Sequence, residues 1–495
     1  MGALPTEHEP FEEETLDPKD WAALRTLSHR IVDDAIDYIS GVRERCVWQD
    51  MPEAVRASFD AALPQAPTPV AEVYREVAAN ILGYPMGNIH PRFWSWYMGS
   101  SNFTGALGDF LAAVQGSNLG GGNHAAALMD QQVVDWCKEM MGFPADASGT
   151  LVSGGSVANI IGLAVARNVK AGVDIRELGV AAIERRLRYY GSDQMHSCHR
   201  KGMETLGLGN QALRRISTDA ELRIDVAALK RAITEDRAAG FKPACVIATA
   251  GTVNTGAIDD LQALATLAAE EDLWLHVDGC IGALMAIAPE NRFRVAGIEK
   301  ANSVALDPHK WLHAPFEAGC VLVQDAAAHR QTFAVTPEFL VATTRGLAAA
   351  PWLYDYGLQT TRGFRALKIW MALKEHGIVK FGRLVDQNIA QGRYLSGLIE
   401  AEPALELVAP TSINIVCFRY RCEGKHGEEL KALNIEIMLR LQDEGTAVLS
   451  DTTVHGEHCL RVAINNHRTK RQDLKLLVDE IVRLGREIVS ANAAT

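Results

Sequence analysis

The stretch 303–324, SVALDPHKWLHAPFEAGCVLVQ, sets two short apolar runs on either side of a loop carrying one lysine, Lys310, between His309 and Trp311. SVAL and GCVLVQ are short and lack the alternation of a half-buried strand, so they read as strands covered on both faces. A lysine beside such strands is poorly placed for solvent, and burying an unpaired ammonium is costly. Chemistry is one reason to tolerate it: a desolvated lysine gives up its proton more readily and becomes a nucleophile.

Runs of the same kind recur outward from this loop. ACVIATAG (244–251) and LWLHVD (273–278) alternate with helical stretches such as LQALATLAAEED (261–272). Residues 91–375 therefore read as a large α/β domain, a mostly parallel sheet with helices on both faces. Residues 1–90 read as a helical segment, because WAALRTLSHRIVDDAIDYISGV (21–42) repeats apolar residues at helical spacing. INIVCFRYR (413–421), CLRVAIN (459–465) and DLKLLVDEIVRLGREIV (473–489) make residues 376–495 a smaller α+β domain.

Bulk properties narrow the function classes. A length of 495 residues suggests two or three structural units, and a net charge of -12 argues against nonspecific nucleic-acid binding. Nine cysteines without a CxxC pair favour reduced thiols in a cytoplasmic protein over a disulfide framework. No apolar run is long enough to span a bilayer. The acidic, Pro-containing start is unlike a signal peptide, so the NFT sequon at 102–104 is expected to be fortuitous.

Open α/β sheets bind ligands at the carboxyl ends of their strands, and three such ends carry suitable chemistry. In LVSGGSVANIIGLAVAR (151–167), Gly154, Gly155 and Ser156 open a helix whose first N–H groups suit a phosphate. In isolation this could equally be an ordinary helix start. Asp278 closes LWLHVD and needs a partner: a metal, a proton, backbone N–H groups or a cationic heterocycle. His276, the nearest imidazole, is read as turned to the other face of its strand, and a metal is set aside. Lys310 is the third. Together the three match what pyridoxal 5′-phosphate requires: a phosphate turn, a carboxylate for the pyridinium nitrogen and an amine for the aldehyde.

DPHKW (307–311) resembles the Schiff-base motif of the group II pyridoxal-phosphate decarboxylases, which act on aromatic amino acids, glutamate, histidine and cysteine sulfinate. HPRFWSWYMGS (90–100), SDQMHSCHRKG (192–202) and TTRGFRALKIW (360–370) are similar to further family segments, and the resemblance runs from about residue 10 to 490. It implies an aspartate-aminotransferase-like fold type I enzyme, a homodimer with active sites at the subunit interface and an N-terminal segment embracing the partner. By the same resemblance Lys310 holds the cofactor, Asp278 pairs with its ring nitrogen and His196 stacks on the ring. Gly154, Gly155, Ser156 and His309 meet the phosphate, Thr252 and Gly279 line the cofactor, and Asp307 stands where relatives often have Asn. The implied reaction is loss of CO2 from an L-amino acid to give an amine.

Two departures bear on substrate and product. Counting back from Lys368 puts Phe339 where family decarboxylases usually carry a loop tyrosine that helps protonate the carbanion. A phenyl ring donates no proton, and in some relatives this change diverts the carbanion to oxygen, giving an aldehyde. Tyr354 or Tyr356 could substitute. Trp96 and Tyr97 suit an aromatic side chain, whereas Asn118, Asn123 and His124 in GSNLGGGNHAA (116–126) could meet a polar one. An aromatic L-amino acid is the leading expectation. Another pyridoxal enzyme, a carbon–carbon lyase or an aminotransferase, is the rival, with Arg461 as the candidate partner for a substrate carboxylate.

Overall fold

The structure, a computed structural model, describes residues 14–335 and 343–493. The chain divides into two units, Met1–Arg45 with Met51–Pro85 and Cys46–Asp50 with Met86–Thr495. In the first unit, helices run over Trp21–Ser40, Glu53–Ser58 and Val70–Asn80. Asp20 caps the longest, its carboxylate accepting the N–H groups of Ala22 and Ala23 at 3.0 and 2.9 Å. No residue of that helix is buried, despite its apolar repeat.

The second unit contains two sheets. The larger is built from β1 (Ser148–Val152), β2 (Leu187–Ser192), β3 (Leu213–Ile216), β4 (Lys242–Thr249), β5 (Trp274–Asp278), β6 (Ser303–Leu306) and β7 (Gly319–Val323), in the order β1-β7-β6-β5-β4-β2-β3. All five residues of β5 and of β7 are buried, as strands covered on both faces must be. Val246, Leu275 and Val304 pack with Val133, Leu229 and Leu264 from helices on one face. Tyr189, Cys245 and Ile247 pack with Ile161 and Met203 from helices on the other.

The expected mostly parallel sheet is present, with one exception in the stretch that first indicated it. β2 through β6 pair in parallel, but β7 runs antiparallel to both β6 and β1. Parallel neighbours need a long crossover, usually helical, and segment 307–318 contains no helix to make one. The chain therefore turns straight back after the lysine, and Gly319 enters the sheet at its ligand-binding end.

The smaller sheet comprises β8 (Leu405–Leu407), β9 (Ile415–Tyr420), β10 (Ser450–Val454) and β11 (Glu457–Ala463), antiparallel in the order β10-β11-β9-β8. Phe418, Leu460 and Val462 pack there against Ile437 and Ile481 from helices Gly427–Asp443 and Arg471–Ala493. Asn102 of the sequon is buried as the cap of helix Phe103–Gln115, and its amide donates to the His313 carbonyl at 2.7 Å. Among the described residues no helix is long and apolar enough to cross a membrane.

Candidate active site

A cavity of about 470 Å³ opens where the carboxyl ends of β1, β4, β5 and β6 meet the start of helix Gly155–Ala171. Ser153, Gly154, Gly155 and Ser156 line it, at a helix start whose first N–H groups have no intrahelical acceptor. The two glycines are fixed by packing. A Cβ on Gly155 would collide with Cys280 Sγ and lie 2.8 Å from Asp307 Oδ2. Gly154 lies so close to β7 that a Cβ on Gly319 would sit 2.6 Å from the Gly154 Cα.

Asp278 forms the cavity floor. Its Oδ2 accepts a hydrogen bond from His199 Nε2 at 2.9 Å, and its Oδ1 accepts the Cys280 N–H at 3.3 Å. Burial pushes the carboxyl pKa up, but the His199 bond, the Cys280 N–H and nearby Lys310 outweigh it and hold Asp278 far below the usual carboxylate range. Because β5 alternates sides, His276 and Asp278 share a face, contrary to the expectation that His276 points away. His276 is nonetheless occupied, bonded to Ser303 Oγ at 2.8 Å and Asn159 Oδ1 at 2.7 Å.

Lys310 reaches the same space and corrects another expectation. Burial favours loss of its proton, but the carboxylates of Asp307 and Asp278 oppose burial and hold the pKa above the ordinary lysine value. Lys310 Nζ lies 3.0 Å from Asp307 Oδ2, so the buried ammonium is paired. His309 lines the cavity, accepts the Ala318 N–H at Nδ1 and is kept neutral chiefly by burial. His196 lines it too, with its own pKa lowered by burial and its Nδ1 accepting the Cys198 N–H at 3.2 Å. Trp96 and Tyr97 form a wall, and the Tyr97 ring centroid is 5.9 Å from Lys310 Nζ.

Three residues expected at the site are turned to other work. The Thr252 hydroxyl contacts Thr255 Oγ1 and accepts the Ala257 N–H, both at 3.1 Å. Gly279 gives its N–H to the Ala305 carbonyl, and a Cβ there would meet Ala283. Asn118 Oδ1 accepts the N–H groups of Gly120 and Arg362, closing a turn away from the cavity lining. Phe339 lies outside the described residues. Sequence reasoning passed over Asn159, Cys198 and Cys280, which line the cavity, and His199 beneath it. His199 stands three residues after His196, a helical spacing that could have directed attention to it.

Arg461 is not available to a substrate carboxylate. It donates to the carbonyls of Trp96, Val253 and Asn254 and to Ser450 Oγ, fastening the aromatic wall to the small sheet. Ligand atoms of Cys198, His199 and Asp278 lie within 4.8 Å of one another. His199 and Asp278 are already joined, and burial, with Asp278 nearby, keeps the Cys198 thiol protonated. That donor set suits a hydrogen-bonded floor.

The profile of the pyridoxal-dependent decarboxylase conserved domain matches residues 52–421. The chain belongs to this family. Among its relatives, the aromatic-L-amino-acid decarboxylase of Bacillus atrophaeus is 32% identical, covering 94% of this chain and 96% of that protein. The phenylacetaldehyde synthase of a Rosa hybrid cultivar is 26% identical, covering 96% of each. Oryza sativa TDC, solved with PLP and tryptamine, superposes with a TM-score of 0.88 at 25% identity, covering 96% of this chain and all of that one (100%). Rhodiola rosea 4-hydroxyphenylacetaldehyde synthase superposes at 0.84, also at 25% identity, with 96% and 100% covered.

As a pyridoxal-dependent decarboxylase, the protein is a carboxy-lyase whose cofactor is pyridoxal phosphate. The residues present fit that group. The helix start suits an anionic phosphate, the ionised carboxylate of Asp278 suits a ring N–H, and the primary amine of Lys310 suits an aldehyde. Thr249 Oγ1 and Asp307 Oδ1, buried at the cavity without hydrogen-bond partners among the described residues, leave polar capacity for a ligand.

Proposed function

We propose that this decarboxylase converts an aromatic L-amino acid to the corresponding amine, with Lys310 anchoring the cofactor and Asp278 holding its ring nitrogen protonated. The observation carrying the substrate reading is the Trp96–Tyr97 wall beside Lys310 Nζ, where the reacting centre would lie. A flat apolar ring gains most from such a surface. The relatives named for aromatic substrates support the same reading.

The cofactor supplies an aldehyde that condenses with amines and a protonated ring that takes up the electron pair left when CO2 departs. The chain's own groups do the rest. Asp307 Oδ2, at 3.0 Å, is the acceptor nearest the Lys310 ammonium, which must shed a proton before its nitrogen can act as a nucleophile. When the cofactor is bound, Asp278 would accept the ring N–H, His196 would cover the ring, and Gly155, Ser156 and His309 would hold the phosphate. Tyr97, Val253 and Ile281 would place apolar surface beside the reacting carbon.

Phe339 favours a second reading, aldehyde formation. The electron pair left on Cα would then pass to dioxygen, which ends as hydrogen peroxide, while water supplies the aldehyde oxygen and ammonia leaves. Neither tyrosine considered as a replacement donor lines this chain's cavity: Tyr354 packs on Trp352 and Tyr356 on His329. Aerobic incubation with a panel of L-amino acids, following amine, aldehyde and peroxide together, separates the two. Amine without peroxide supports the first reading, and aldehyde with matching peroxide replaces it with the second. Turnover confined to acidic amino acids sinks the aromatic assignment.

The protein is further proposed to be a cytoplasmic homodimer with its sites at the subunit interface. Helix Trp21–Ser40 presents Trp21, Val32 and Ile36 without burying any of its residues, an apolar face that a partner would cover. The nine cysteines form no disulfide. Light scattering on the eluting protein at the monomer mass would refute the dimer.

A further inference from the structure

We infer that His199 is a positioning residue for the cofactor: a neutral imidazole, protonated at Nε2, that locks Asp278 with one oxygen toward the cavity and its full charge directed at the ring nitrogen. The inference rests on the reading that Asp278 faces that nitrogen.

Hydrogen-bond capacity fixes the form of the imidazole. His199 is fully buried, and its Nε2 lies 2.9 Å from Asp278 Oδ2. Its Nδ1 is buried with no hydrogen-bond partner among the described residues. A charged imidazolium would carry a second N–H at Nδ1 and bury it unsatisfied, at a substantial desolvation cost. The neutral tautomer with its proton on Nε2 leaves only a weak acceptor without a partner. Between the two oxygens of Asp278, His199 therefore occupies Oδ2 and leaves Oδ1, met among the described residues by the long 3.3 Å contact from the Cys280 N–H, for a ligand.

Charge points the same way. A protonated His199 would share the Asp278 charge and weaken its hold on a proton at the ring nitrogen, whereas a neutral donor orients the carboxylate and leaves it fully anionic. His276 sits edge-on to His199, ring centroids 6.4 Å apart, and is itself fixed between Ser303 and Asn159. The imidazole behind the carboxylate is thus held in place by packing as well as by its bond to Asp278.

The test begins with neutron diffraction from the wild-type holoenzyme, which reads the proton positions directly. Deuterium on His199 Nε2 and none on Nδ1 is expected, and deuterium on both overturns the inference. In solution, His199→Leu should weaken cofactor binding about tenfold or more, the scale of a hydrogen bond to a charged group. With pyridine-¹⁵N-labelled cofactor, the same variant should shift the ring-nitrogen resonance toward the unprotonated value. His199→Gln, whose Nε2 reaches the same point, should recover most of both effects, which a purely structural role would not predict. Wild-type affinity and resonance in a folded His199→Leu refute the role. If that variant does not fold, the Gln variant and the neutron map decide. Asp278→Asn separates the two levels. If it too leaves affinity and resonance unchanged, the reading of Asp278 fails. If it weakens binding while His199→Leu does not, only the His199 inference fails.

Discussion

Lys310 and Asp307 bring opposite charges into the cavity 3.0 Å apart, and the pairing governs when the lysine can react. Burial alone would free the amine, yet the carboxylates around it keep the proton on, so condensation with an aldehyde needs a pH high enough to remove it. Asp307→Asn removes the nearest opposing charge while keeping the shape. The rate of cofactor reconstitution, followed by absorbance between about pH 7 and 9, should then rise at lower pH than in the wild type. An unchanged pH–rate curve would show that Asp307 does not hold the proton. The residue opposite Lys310 was noticed in the sequence only as a departure from relatives. Its charge became meaningful once the 3.0 Å contact was known.

At the scale of elements, the site depends on how closely two backbones approach. Because β7 returns antiparallel beside β1, Gly319 faces Gly154 with no room for a side chain. Gly319→Ala must push the start of helix Gly155–Ala171 away from β7, and helix-start N–H groups hold an anion only where their directions converge. The substitution should cost about 1–3 kcal/mol of stability, the range for an overpacked interior, measured by urea denaturation of the apoenzyme. It should weaken cofactor binding more than the equivalent change at Gly363, where an added Cβ meets nothing within 4 Å. Equal affinities for the two variants would show that the turn tolerates the displacement. Apolar run length disclosed both strands, but not their directions. Direction followed from the absence of a helix in 307–318, a cue present in the sequence and not used.

For the whole molecule, buried histidines set the response to acid. Burial lowers the pKa of His276 to about 3 and of His329 to about 4; for His467, burial and then Arg468 lower it to about 4. In the unfolded chain each returns to about 6.5, so below that pH the unfolded state binds more protons and stability falls as pH falls. Their contribution is fully present above 6.5 and is lost toward the folded values, at about 1.4 kcal/mol per imidazole by pH 5.5. Asp259 acts oppositely, its pKa raised to about 6 by burial against the N–H groups of Ile224 and Thr249, and burial raises Asp109 and Asp130 as well. But burial also lowers His196, His309 and His313. The apoenzyme's urea midpoint should fall from pH 7.5 to 5.5, and more gently in His276→Gln; a flat profile would contradict it. Local pattern in the chain was enough to mark the strands as near-continuous apolar runs, and Lys310, Asp278 and the 154–156 turn stood out because each sits at a strand end. Which distant side chains meet them follows from the packing of the folded chain. His199 behind Asp278, Cys280 against Gly155 and Arg461 holding Trp96 meet across elements far apart in the chain, while Thr252 and Asn118 turn inward to close their own loops. Such meetings follow from how whole helices and strands pack, and no local periodicity encodes them.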